Sequence, residues 1–267
     1  MDEIGSDDIP PALLLFHKKV VAFSEFLQQA AETKYNSAKM RSISHSATFR
    51  IHTWAIVLHK AIRDNCLIGW AQVSGVLLRA LLDCFINIGL IGEKDHDLRA
   101  FSFFYHYQLS RQDDTSIRKD ERDRMRTEIQ SDLDLLEKDD QTRIHDLISA
   151  GKLGGAYWYS HEFRSPADVL KRRATTPDIR TAYNYLSGAS HGGHGSSNLF
   201  LDEPDDYTIE PLKNPKSAAL AIAYSSRILL EICRVRVHYE IPDLQDEVDG
   251  LVKEIPGIME FPEAKPA

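Results

Sequence analysis

The segment from Gly69 to Gly92, GWAQVSGVLLRALLDCFINIGLIG, constrains this chain most, because it is apolar on nearly every side yet carries Gln72, Arg79, Asp83 and Asn87. At 3.6 residues per turn those four side chains fall on one narrow stripe. A helix that is apolar almost all round has to be covered by other elements, so the chain needs further helices to bury it. The stripe then carries polar groups into an interior, where each needs a partner or a purpose.

Helical signals run through the rest of the chain. Ser6 to Asp8 followed by Pro10 and Pro11 make a helix start, and Leu14, Val20, Val21, Phe23, Phe26 and Leu27 form its face to about Lys34. A second helix spans roughly Ser42 to Asn65, with Ile51, Ala55, Leu58 and Ile62 inward. The stretch LRAFSFFYHYQLS predicts a buried aromatic helix within 95–110, and the charged 115–150 region predicts a protruding helix or hairpin with a sparse seam of Ile129, Leu133, Leu136, Ile144, Leu147 and Ile148.

Glycines and aromatics between Gly151 and Thr176 suggest a loop or lid, and Thr176 to Asp178 start a helix that ends near His191 at a pair of glycines. Residues 198–213 lack a helical period and read as an irregular or extended insert, before a last long helix from Pro215 to Tyr239 that Pro242 ends. The expected fold is all-α: one domain over 1–267, a bundle of about six or seven helices with its core in 10–240.

Composition narrows the function classes. With 43% hydrophobic residues in 267, the chain can bury a substantial core. Its net charge of −8 supplies no global positive field for nucleic acid. The longest apolar run is broken by Arg79 and Asp83, and MDEIGSDDIPP has no signal-peptide core, so a cytoplasmic protein without membrane spans is expected. Cys66, Cys84 and Cys233 lie in apolar helical contexts without a Cys-x-x-Cys pair and read as reduced core residues.

Arg79 and Asp83 are four apart and can touch on a helix. Their apolar neighbours imply a buried pair, either a salt bridge that locks packing or an anion site in which Arg79 holds a phosphate and Asp83 orients it. In TAYNYLSGASHGGHGSS, Tyr183, Ser187 and His191 repeat at four-residue spacing before His194, which delivers imidazoles to a helix end. His191 and His194 alone lack a third metal ligand, so neither a metal nor another cofactor is expected. His45, His52 and His59 are seven apart and read as a polar boundary stripe, and His106 as a satisfied core histidine. The chain has no G-x-S-x-G, G-x-x-x-x-G-K-[ST] or H-E-x-x-H, and no G-x-G-x-x-G after a strand.

With its R-x-x-x-D helix, the aromatic FSFFYHY and the late S-x-x-x-H segment, the chain resembles over residues 45 to 240 a bacterial all-helical family of unknown function. The family pattern falls on Arg79, Asp83, Ser187 and His191, with Asp83 where Glu is commoner and the carboxylate's reach is therefore shorter. That family is distantly similar to the HEPN helical bundles, many of them metal-independent ribonucleases of toxin and antiviral systems, whose motif is an Arg and a later His with four to six residues between them. Arg99 and His106 have this spacing, which eleven histidines make expected by chance.

Two functions follow from the resemblance and the stripe. The first is a HEPN-like phosphodiesterase or ribonuclease in toxin or phage-defence systems, with Arg79 stabilising phosphorane charge and His191, helped by Ser187 or Tyr183, moving the proton. The second is a non-catalytic helical module for a nucleotide, anion or partner protein, with Gln72, Asn87, Tyr183 and His194 beside the same residues in a structural polar core. RNA or a nucleotide is the expected ligand, and a homo-oligomer the expected assembly, because the sparse charged-region seam needs cover.

Overall fold

The computed structural model describes residues 9–38, 42–68, 71–111, 114–152, 157–160, 162–173 and 215–259. Among these the chain is all-α, without strands, and forms nine α-helices. They are α1 (Pro11–Ala38), α2 (Ile43–Leu67), α3 (Ala71–Ile91), α4 (His96–Arg111), α5 (Lys119–Leu133), α6 (Lys138–Ser149), α7 (Pro166–Arg173), α8 (Pro215–Glu240) and α9 (Gln245–Met259).

The all-round apolarity of α3 is answered by its surroundings. It packs along α2 and α8, with α4 and α7 closing further sides, and Leu81, Leu82, Ile88 and Ile91 are fully buried. Among the described residues only the Val73–Ile91 part of this helix is long and apolar enough to cross a membrane, and 67% of that window is buried inside the protein. Gly92 lets α3 end tightly against α8, since a Cβ there would lie 2.9 Å from Val235 Cγ1. Beside α3, α8 packs on α1, α2 and α9.

The turn from α3 into α4 is held electrostatically. Asp95 adopts a left-handed φ of 48°, which a short polar side chain tolerates, and Arg143 of α6 clamps its carboxylate at 2.9 and 3.0 Å. Those hydrogen bonds hold the Asp95 carboxyl below its ordinary range.

Several expectations are corrected. The charged region does not stand away from the core: α5 and α6 fold back on α4 and bury Ile129, Leu133, Leu136 and Ile144. The seam therefore has its cover within the chain. The glycine-aromatic stretch forms turns where it is described, and Trp158, Tyr159 and Phe163 anchor it in the core. Helical structure also continues beyond Pro242, which opens a 3-10 turn leading into α9. A proline's missing N–H costs nothing at a helix start. The nine helices among the described residues roughly match the expected six or seven, with the charged region divided in two and this last helix added. The insert at 198–213 lies outside the described residues.

Candidate functional site

Three polar assemblies interrupt the helical core. The first is the α3 stripe. Arg79 Nη1 donates to Asp83 Oδ1 across one helical turn, with the Arg79 side chain 15% and the Asp83 side chain 47% exposed. The pair thus reaches the surface and is not the enclosed one expected. Partial burial raises the Asp83 carboxyl above its ordinary pKa, more than the neighbouring Arg79 lowers it. One turn further on, Asn87 Oδ1 accepts the indole N–H of Trp158 at 2.9 Å, which pins the 157–160 turn to α3. Gln72 lies in the first turn of α3, its side chain outside the described ones, and Tyr183, Ser187, His191 and His194 lie outside the described residues altogether.

Arg99 and His106, the pair with HEPN spacing, sit on α4 in different surroundings. The Arg99 side chain is 1% exposed, and its guanidinium donates to Leu90 O at 2.5 Å, Glu93 at 3.0 Å and Glu162 at 2.6 Å. It ties the end of α3 to the segment before α7 and presents no face to a substrate. His106 is half-buried, and its Nδ1 is shut from water with no hydrogen-bond partner among the described residues, contrary to the satisfied core histidine expected.

The second assembly lies in the core, where His52 and His59 are fully buried and not a boundary stripe. Arg236 on α8 donates to Glu240 Oε2 at 2.9 Å through Nε, to Gln28 Oε1, and to His52 Nδ1 at 2.6 Å. Because guanidinium only donates, His52 Nδ1 accepts and Nε2 carries the proton, which it gives to Ser24 Oγ at 2.9 Å. Burial and the charge of Arg236 keep this imidazole neutral. Thr48 Oγ1 donates to Glu240 Oε1 at 2.5 Å. Burial alone would raise the Glu240 carboxyl, but His45, Arg236 and Thr48 together hold it below its ordinary value.

Cys233 Sγ stands 3.0 Å from Ser24 Oγ and 3.7 Å from His52 Nε2, a juxtaposition that superficially suggests a nucleophilic dyad. Burial pushes its thiol up to about 12 and no part of it meets solvent, so the thiolate needed for attack does not form. The assembly is a structural network.

The third assembly is a cleft of about 600 Å³ where the end of α1, the start of α2, α4 and α5 meet. Helical spacing builds it. Ser42 at the N-cap and Ser46 and Arg50 within α2 follow one another every four residues, Tyr105 and Gln108 share a face of α4, and Glu128 and Asp132 are one turn apart on α5. Ser42 caps α2 by accepting His45 N–H at 3.1 Å, and His45 stacks on Tyr35 with ring centroids 3.8 Å apart. Tyr105 Oη donates to Asp132 Oδ2 at 2.5 Å, and burial, this bond and the Asp132 charge raise the phenol above its usual range.

Arg50 lies with its guanidinium carbon 5.2 Å from the centre of the Phe104 ring, and no carboxylate among the described residues pairs with it. Sequence reasoning missed this cleft because its charged members sit on faces that look solvated in a single helix. The i, i+4 spacing of Glu128 and Asp132 was the available signal. Among the described residues no group of three or more His, Cys, Asp or Glu is placed to hold a metal ion.

Compared with known proteins, residues 45–208, more than half of the chain, match the model of a family of unknown function (DUF5677). No curated protein and no solved structure matches.

Proposed function

We propose that this chain, which belongs to that family of unknown function, is a helical ligand-binding module whose site is the cleft between the start of α2, α4 and α5. The supporting observation is Arg50: an exposed guanidinium at a concave surface, stacked on Phe104 and without an ion-pair partner among the described residues, lining the same cleft as Glu128 and Asp132. Convergent polar groups in a concave, partly aromatic site of this size are the usual marks of small-molecule binding. The α3 stripe then serves as a packing lock through Asn87 and Trp158.

The test is a thermal-shift panel of small molecules of cationic, anionic, zwitterionic and neutral classes against the wild type and Ser46→Trp, whose indole would fill the cleft. At least one class is expected to raise the melting temperature of the wild type and not of the variant. No shift from any class, or shifts that Ser46→Trp leaves intact, would overturn the proposal.

A second reading is a HEPN-like, metal-independent ribonuclease with Arg79 and Asp83 beside Ser187 and His191. The opening of the Arg79–Asp83 pair to the surface favours it: Asp83 is 47% and Arg79 15% exposed, which leaves a phosphate an approach to the edge of the guanidinium. Loss of labelled-RNA cleavage in folded Arg79→Ala and His191→Ala variants would support it; wild-type protein that leaves RNA intact would eliminate it. Self-association of the chain belongs to this proposal as well, favoured by exposed Leu15 and Phe26 on α1 and Trp54 and Val57 on α2. Sedimentation would read it directly.

A further inference from the structure

Given the cleft as the binding site proposed above, we infer that its ligand is a basic amino acid carrying both a carboxylate and a planar side-chain cation, either free or at the carboxyl end of a short peptide. The lining supplies two poles. At one stands Arg50, whose N–H groups have no hydrogen-bond acceptor among the described residues. At the other, Asp132 has one oxygen engaged by Tyr105, and Glu128 has one engaged by Arg124 at 3.1 Å. Among the described residues, no donor engages the second oxygen of either carboxylate. The Arg124 side chain is 80% exposed, so solvent screens its hold on Glu128.

Charge decides between ligand classes. With one arginine against two carboxylates, the wall favours a guest with an excess of positive charge that still has an anionic group for Arg50. A nucleotide would bring its phosphates among Glu128 and Asp132, and a simple amine would leave Arg50 facing another cation. A basic amino acid satisfies both poles. Between its two common cations, the guanidinium is favoured because its planar fork presents separated donors to carboxylates on successive turns and stacks on an aromatic face such as that of Tyr105. The cleft volume of about 600 Å³ also leaves room for a residue or two preceding the arginine.

The experiment is titration calorimetry of the full chain at low salt with L-arginine, the tripeptide Gly-Gly-Arg, agmatine, L-citrulline and guanosine monophosphate. Agmatine lacks the carboxylate and citrulline the charge. L-Arginine or the tripeptide is expected to bind, the tighter of the two identifying the source, while agmatine and citrulline bind at least about tenfold more weakly. Asp132→Asn keeps an acceptor for Tyr105 and Arg50→Gln keeps a polar surface, so both should fold, as checked by melting. Each should lose about tenfold or more in affinity for the arginine probe. Equal binding of citrulline or agmatine, or affinity unchanged in both variants, would overturn the ligand class. Should guanosine monophosphate bind in an Arg50-dependent way while the arginine probes do not, the class is wrong and the cleft remains a ligand site. Absence of heat from all five probes, together with an empty thermal-shift panel, would defeat both.

Discussion

Arg236 donates to His52 Nδ1 at 2.6 Å in the centre of the bundle, and both side chains are completely buried. That contact joins α8 to α2, and through Gln28 and Ser24 the same network reaches α1. Its energetic logic is asymmetric. The network as a whole adds little over an apolar core, whereas losing one charge strands its partner in a low-dielectric interior.

Arg236→Leu should therefore destabilise the fold by about 3 to 5 kcal/mol, since Glu240 is left buried with Thr48 and His45 but no cation. Arg236→Leu combined with Glu240→Leu should recover a large part of that loss. Urea unfolding of the three proteins measures it. A single variant within about 1 kcal/mol of wild type would mean that water or rearrangement already relieves the buried carboxylate.

The thiols offer an independent check on the same core. Burial pushes Cys66 up to about 11 and Cys84 and Cys233 up to about 12, and all three are free. The native chain should leave all three unreactive toward an aromatic disulfide reagent at mildly alkaline pH, and unfolding should release three equivalents. A thiol that reacts at once in the folded protein would contradict the packing around it.

What the sequence revealed and what it hid follow from the same distinction. Gly69 to Gly92 announced a central helix because an apolar surface on all sides admits one solution, and the long amphipathic α1, α2 and α8 were legible for a similar reason. The heptad histidines misled, because periodicity reports which residues share a face and not whether a second helix covers it; α1 and α8 bury His52 and His59. α9 was overlooked behind Pro242, although Val248, Leu251, Val252 and Ile255 carry a helical period against the core. The cleft depends on charges from α2 and α5, 78 residues apart between Arg50 and Glu128, and no single-segment pattern encodes such a meeting.

Asn87 tests whether the α3 stripe works as a lock. Replacing it by Leu keeps the volume but leaves the Trp158 N–H without its acceptor, at a cost of about 1 to 3 kcal/mol. The 157–160 turn should loosen, seen as a red shift and stronger quenching of tryptophan emission in the variant relative to wild type. Unchanged emission and stability would place the stripe's purpose elsewhere than in packing.

Arg99 carries a comparable load beside the α3–α4 turn. Arg99→Met fills its volume but removes the cation that Glu93 and Glu162 share, so a loss of about 1 to 3 kcal/mol is expected, less than for Arg236 because both carboxylates are partly exposed and keep Arg172 and Lys94 at 3.9 Å. Because its guanidinium is already engaged by Leu90 O and the two carboxylates, any RNA cleavage by the wild type should track Arg79 and not require Arg99 beyond its effect on folding. A folded Arg99→Met protein that has lost cleavage while Arg79→Ala retains it would reverse that assignment.

Acid should unfold this protein through its buried histidines. His17 stacks on His59 with ring centroids 4.1 Å apart, and among the described residues neither of its nitrogens finds a hydrogen bond. Burial, aided by the charge of Arg63, lowers the His17 pKa from 6.5 to about 4, and burial holds His52 and His59 well below the ordinary value. In the unfolded chain the same imidazoles take up protons near pH 6.5, so between that value and about 4 the unfolded state binds more protons than the folded one. Stability is therefore fully present above the unfolded pKa and is lost as pH falls toward the folded one. The melting temperature should drop by roughly 5 °C or more from about pH 7.5 to about pH 4.5. His17→Phe keeps a ring against His59 and removes one proton site, so its profile should be shallower in that window. A wild-type melting temperature flat across the window would show that these rings accept protons in place, with room for water or an anion that their packing does not provide.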